Sequence, residues 1–302
     1  MKILTGTLLA LALGALLGCG GSSSSNSTNN PATNWQFTMV QEQPRPTATF
    51  TITGFIKQDS KGALTGSLLV PPSPQKGTCA GSASATGTLS SGTLLLDVNS
   101  GGNIITLNGN TSSDGQTIQG SYSGPGGGCY NSPTNGTFTA SQVPSITGSF
   151  TGQLTSSAYM AILTGVNPAN PISVSGTLTQ GANDGSVNVA TVTGIINAQN
   201  YPCFATATVT GTVTGPNVYL FVFGFDGTQI GTIGLPGSPS SAGTPAVVTV
   251  TSGAVSLVGS APGTSGLALG RGTGQPFGPC PPLQTGSGAV PYDTAAITLN
   301  LQ

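Results

Sequence analysis

Histidine is absent from this 302-residue chain, and charge of either sign is scarce: 4% of residues are Asp, Glu, Lys or Arg, against about 25% in an ordinary soluble domain. Without histidine the chain lacks the commonest general base, the usual catalytic triads and most zinc sites. Setting Lys2 aside, the basic residues are Arg45, Lys57, Lys61, Lys76 and Arg271. They are too few and too scattered to form the patch that displaces counterions from nucleic acid. Nor can they line one face of a helix lying on a membrane surface. No stretch after the N-terminal segment has a convincing helical period, and no loop carries the alternating aspartates of a calcium site. No cofactor and no metal are implied.

The carboxylates offer little more. Asp114-Gly115, Asp184-Gly185 and Asp226-Gly227 read as hairpin turns. Glu42, Asp59, Asp97 and Asp293 remain, where glycosidase chemistry needs two that face each other. Asp97, beside Leu96 in an alternating stretch, is the sole candidate for an inward charge, and the plainer reading places it toward solvent. A Ser–Lys arrangement would need a buried lysine, whereas Lys57, Lys61 and Lys76 lie in or beside polar turns. The expectation is a protein that is not an enzyme, with a surface of hydroxyls and amides that changes little with pH.

The N-terminus is richer. Lys2 precedes an apolar run from Ile3 to Leu17, shorter than the roughly 20 residues that span a bilayer as a helix. Length and flanks predict a cleaved signal peptide over 1–18. The run ends in Leu16-Leu17-Gly18-Cys19, which resembles the lipobox of bacterial lipoproteins. The resemblance covers the first 19 residues. It implies that the chain is cut before Cys19, that the Cys19 thiol is diacylated and its new amine often acylated, and that the protein partners a membrane through that anchor. In that family Asp after the cysteine is the usual inner-membrane signal; Gly20 here implies the outer membrane where the cell has one. Residues 19–34, Gly/Ser/Asn-rich with nothing apolar to bury, read as a flexible tether reaching on the order of 20 Å.

The mature chain repeats itself. Gly87-Thr88-Leu89 begins eight residues after Cys79, and Gly211-Thr212-Val213 eight residues after Cys203. Ile105 to Gly109 parallels Val255 to Gly259, and Gly120 and Gly270 follow those glycines at equal spacing. Cys129 and Cys280 come next. One unit is written twice, over 35–143 and 145–302.

Between these landmarks the period is that of strands. Ala205 to Gly215 alternates Thr with Ala, Val and Gly, one face apolar and one hydroxylated. The prediction is all-β: two tandem antiparallel repeats of about eight strands each, up-and-down barrel or sandwich. In the first they fall near 35–40, 47–56, 63–70, 79–89, 93–98, 103–109, 116–122 and 136–141. The second offers 146–154, 172–179, 185–196, 203–213, 217–225, 254–259, 265–271 and 294–301. In such a meander, loops after odd strands share one end. That parity puts Cys79 beside Cys129 and Cys203 beside Cys280, so these two disulfides are expected. Each would contribute about 4 kcal/mol on a chain-entropy basis, and export permits them.

Two features depart from the repeat. The second unit has a surplus near 226–253, rich in Pro and Gly, which reads as a loop lid with an added hairpin over 246–251. The strand Asn217 to Phe225 carries Tyr219, Phe221, Phe223 and Phe225 on one face and Val218, Leu220 and Val222 on the other. The aromatic face is either the wall of a ligand cavity or packing against the other repeat, the second being favoured. Trp35, the single tryptophan, is expected to plug or pack the start of the first barrel. A membrane-spanning barrel is rejected, because one strand face is mainly Thr and Ser where an apolar band and aromatic girdles are needed. Beyond the lipobox the chain is similar to uncharacterised Gly/Thr/Ser-rich bacterial lipoproteins, which implies no mechanism. The expected function is a non-catalytic structural or interaction module of the cell envelope; the alternative is a lipocalin-like barrel for a small apolar or sugar-like ligand.

Overall fold

A computed structural model describes residues 31–43, 48–71, 81–125, 133–156, 171–201, 203–224, 227, 229–234, 246–251, 254–259, 267–269 and 293–302. Eight strands come first: β1 (Thr33–Gln43), β2 (Ala48–Gln58), β3 (Ala63–Val70), β4 (Gly81–Ser90), β5 (Thr93–Ser100), β6 (Asn103–Thr111), β7 (Thr117–Gly124) and β8 (Thr134–Gln142). Each pairs antiparallel with the next, and β8 returns to β1 to close an up-and-down barrel. The sequence-based strands of the first repeat all appear.

Alternation decides which side each residue takes. In β8, Thr134, Gly136, Phe138 and Ala140 are buried while Asn135, Thr137 and Thr139 are exposed. Inward aliphatic and aromatic side chains, among them Phe37, Met39, Leu68, Leu96 and Leu107, fill the interior, as an eight-stranded barrel requires. Outward positions are mainly Thr, Ser, Asn and Gln, the inverse of a membrane-spanning barrel.

Glycines make room for the rings. Gly136 lies across from Tyr122, and a Cβ there would overlap the Val40 carbonyl oxygen and come 2.9 Å from Tyr122 Cε1. Gly120 is the register partner of Phe138, and a Cβ on the neighbouring Gly109 would come 2.9 Å from Phe138 Cζ. In the second barrel a Cβ on Gly176 would stand 2.7 Å from Phe150 Cζ. Inward glycines let the sheet coil tightly and receive a neighbouring ring. Gly87 and Gly211, matched by the sequence repeat, are equivalent members of this girdle: each sits in its barrel's fourth strand against a backbone carbonyl of the fifth.

The second barrel uses β9 (Gly148–Ser156), β10 (Ile172–Gln180), β11 (Ala190–Ala198), β12 (Thr206–Thr214), β13 (Asn217–Phe223), β14 (Gln229–Ile233), β15 (Ala246–Thr251), β16 (Ala254–Gly259), β17 (Leu267–Leu269) and β18 (Asp293–Leu301). The pairing of β12 with β13 and of β18 with β9 closes the ring. Between β13 and β18 the wall is split. One half runs β13–β15–β16–β18, the other β13–β14–β17–β18. β14 and β15 lie in line along β13, so together they form the sixth strand, and β16 with β17 forms the seventh.

This corrects two sequence-based readings. Within 226–253, read as an insertion, Gln229–Ile233 and Ala246–Thr251 are not extra to the barrel but form its sixth strand; Ala246–Thr251 is also the expected hairpin arm, paired with β16, and residues 235–245 lie outside the described residues. Gly259 in β16 is a seventh-strand residue, whereas its supposed counterpart Gly109 lies in the sixth. A third difference concerns 185–189, expected as strand. Asn183, 5% exposed, donates from Nδ2 to the Val187 and Val189 carbonyls (3.1 and 2.7 Å) and accepts the Gly185 N–H at 2.7 Å. Its side chain takes the hydrogen bonds a ladder would use, and β11 starts at Ala190.

The two barrels meet where the outer wall of β1 and β2 covers one end of the second barrel. Phe55, on the outward face of β2, and Ala32 join the second barrel's core with Ile146 of the connecting segment. Asn34, 3% exposed, donates from Nδ2 to the Gly215 carbonyl and accepts the Gly215 N–H, both at 2.9 Å. Thr53 and Thr214 hydroxyls stand 3.3 Å apart, and the Ala32 N–H donates to the Asn183 carbonyl at 2.8 Å. Tyr201 and Phe204, edge to face with centroids 5.5 Å apart, lie in the segment between β11 and β12 at the second barrel's opposite end.

Candidate functional site

At one mouth of the first barrel the turns β2–β3, β4–β5 and β6–β7 gather. A cup of about 440 Å³ opens there. Its floor is Trp35, Phe37, Ile56, Leu64, Leu94 and Ile118, and its rim includes Thr33, Gln58, Ser91, Thr111 and Gln142. Among the described residues, none that lines it is ionisable. Trp35 therefore forms the floor of an open cup at the barrel's start.

The rim is held by its own hydrogen bonds. Gln58 Nε2 donates to the Leu89 carbonyl at 3.0 Å, and Thr111 Oγ1 to the Gly92 carbonyl at 3.2 Å. Ser91 and Gly92 form the two-residue β4–β5 turn with φ of 50° and 80°, the left-handed pair such hairpins need. A serine in the first of those places is strained where Asn or Gly would be at ease. Its side chain lines the cup.

The aromatic strand behaves differently from its cavity-wall reading. In β13, Val218, Leu220 and Val222 are buried in the second core, while Tyr219, Phe221 and Phe223 point outward and are half-buried. The aromatic row is therefore not an interior wall. Across the ladder it meets Thr212, Thr210 and Thr208 of β12. Partial burial raises the Tyr219 phenol pKa. Phe225 lies outside the described residues.

Four of the carboxylates, Asp59, Asp97, Asp114 and Asp184, have structural partners. Asp97 sits on the outer face between Leu96 and Val98 and accepts from Thr106 Oγ1 at 2.6 Å. Asp59 accepts the Lys61 and Ala63 N–H groups, each at 2.8 Å, and shapes the β2–β3 turn. Asp114 is held below the usual carboxylate range by the Ser112 hydroxyl and the Gln116 N–H; Ser186, through its side chain and its N–H, does the same for Asp184. Glu42 is the penultimate residue of β1 and Asp293 the first of β18.

At the first barrel's other end, Tyr122 OH and Thr134 Oγ1 are buried. Burial raises the Tyr122 phenol, and Thr134 is near enough to offset part of that rise. Neither hydroxyl has a hydrogen-bond partner of acceptable geometry among the described residues. Cys203, 2% exposed, is disulfide-bonded and lies between β11 and β12. Cys19, Cys79, Cys129 and Cys280 lie outside the described residues.

Compared with protein-family models, curated proteins and solved structures, the chain finds no match. The cup went unnoticed in the sequence because its residues come from strand ends far apart in the chain. Each looks like one more inward position until the barrel closes.

Proposed function

We propose that this chain is a lipoprotein of the cell envelope, cut before Cys19 and anchored through acyl chains on that residue. Its tandem barrels serve as a non-catalytic structural or interaction module. The N-terminal motif supplies the address: outer membrane where the cell has one, and no nucleic-acid partner. The observation that carries the module reading is the joint between the barrels. Asn34, Thr53 and Phe55 of one barrel are spent on the other, so the pair presents a stiff surface of hydroxyls and amides at the end of a tether. Turn-capping Asp59, Asp114 and Asp184 support it further, since their carboxylates serve the backbone. The same reading pairs Cys79 with Cys129 and Cys203 with Cys280 at the barrel ends that odd-numbered connections share.

Palmitate labelling of cells expressing the full chain, followed by membrane fractionation, tests the address. Label in the wild-type protein and none in Cys19→Ser, which moves to the soluble fraction, is the expected pattern. An unlabelled wild-type chain in the soluble fraction overturns it. Crosslinking on intact cells tests the module, with adducts to an envelope macromolecule expected and their absence counting against it.

A further inference from the structure

We infer that the open mouth of the first barrel is a binding site for an uncharged amphipathic small molecule, with an apolar ring system entering first and a hydroxyl, amide or amine end at the rim. The second barrel shows what the fold does when a mouth has no use: Phe55, Ala32 and Ile146 stopper the corresponding end. The first barrel leaves its own mouth open at about 440 Å³, within the range of small-molecule pockets.

The chemistry of the lining selects the ligand class. A floor of Trp35, Phe37, Ile56 and Leu94 rewards removal of apolar surface from water. Among the described residues no ionisable group lines the site, so a charged ligand entering the cup would lose hydration without gaining a counter-charge there. At the rim, the bond from Gln58 Nε2 to the Leu89 carbonyl fixes that side chain and leaves its carbonyl oxygen as an acceptor. Ser91 adds a hydroxyl from a strained left-handed position, the kind of local strain that accompanies binding sites.

Trp35 is the chain's single tryptophan, so its emission reports on the cup alone. The test uses residues 20–302, which keep every described residue and need no detergent. The probes are neutral N-phenyl-1-naphthylamine and its sulfonated analogue 1-anilinonaphthalene-8-sulfonate. We expect saturable 1:1 binding of the neutral dye at micromolar concentrations, with energy transfer from Trp35, and about tenfold weaker binding of the sulfonate. Leu64→Phe, which grows into the cup, is expected to lower neutral-dye affinity at least about tenfold while the melting temperature holds or rises. Leu89→Ala, at the rim, covers the case in which Leu64→Phe misfolds; it should change the dye's affinity and leave the circular dichroism unaltered. Absent saturable binding, absent transfer from Trp35, equal affinity for the two dyes, or affinity indifferent to both variants overturns the assignment.

Discussion

Replacing Asn34 by alanine tests whether the two barrels are one body. The Asn34 amide is buried and spends both its ends on Gly215, donating to the carbonyl and accepting from the N–H at 2.9 Å each. Its orientation is fixed, because only the oxygen can accept that N–H. Truncation leaves a backbone donor and a backbone acceptor buried without partners. Each orphan costs about 1–3 kcal/mol, so the expected loss is about 2–6 kcal/mol, toward the lower value if water enters the gap. Against a total stability of about 5–15 kcal/mol that is a large fraction. Urea titration gives the measurement, read at Trp35 for the first barrel and by far-ultraviolet circular dichroism for both. The wild-type chain is expected to show one transition by both probes. Asn34→Ala should lower the midpoint and separate the two. An unfolding free energy within about 0.5 kcal/mol of wild type, the range of ordinary surface substitutions, with the probes still coincident, would refute the joint as a source of stability.

Further expectations follow from the girdle, the titrating groups and the cysteines. A Cβ on Gly120 would overlap the Asn108 carbonyl and lie 2.5 Å from Gly109 Cα, so Gly120→Ala should cost about 3 kcal/mol; Gly102→Ala, at φ 87° in open space, should cost about 1 kcal/mol. Thermal melts that reverse this order would contradict the packing account. Asp114 and Asp184 titrate below the normal carboxylate range, so their contribution is present above the unfolded value near pH 4 and is lost as pH falls through the native one. Tyr122 is shifted upward, so its contribution is complete below about pH 10 and is lost as pH rises toward the native value. Stability should therefore be flat from about pH 5 to about pH 9, and a marked drop between pH 7 and pH 5 in a denaturation series would count against this. Non-reduced peptide mapping is expected to return Cys79–Cys129 and Cys203–Cys280; a bond joining the two halves would contradict the meander.

How far the sequence spoke depended on what period-2 patterning encodes. It marks where strands lie and which residues share a face, and so the first barrel's strands were readable. It does not say which apolar face turns inward. In β13 both faces are apolar, and closure placed the aliphatic Val218, Leu220 and Val222 inside and Tyr219, Phe221 and Phe223 outside. The sixth strand of the second barrel was only half legible because it is broken: Gln229–Ile233, five residues with a central glycine, was missed, while its continuation Ala246–Thr251 was read as a hairpin but not as part of the barrel wall. Asn183, silent as one polar residue among many, decides where β11 begins. The cup could not be read from any single segment, since Trp35, Leu64, Leu94 and Ile118 meet only when β8 finds β1.

The stopper formed by Phe55, Ala32 and Ile146 gives the tandem a direction. The half that leaves the ribosome first carries most of the cork, Phe55 and the preceding Ala32, and the later half owns the bottle's neck. An early half folding alone would bear a small greasy spot on its flank. A late half made without its predecessor would have an open neck and a wet interior. Exchange of the halves along the chain is thus not a neutral rearrangement, and vectorial synthesis delivers the cork before it is needed.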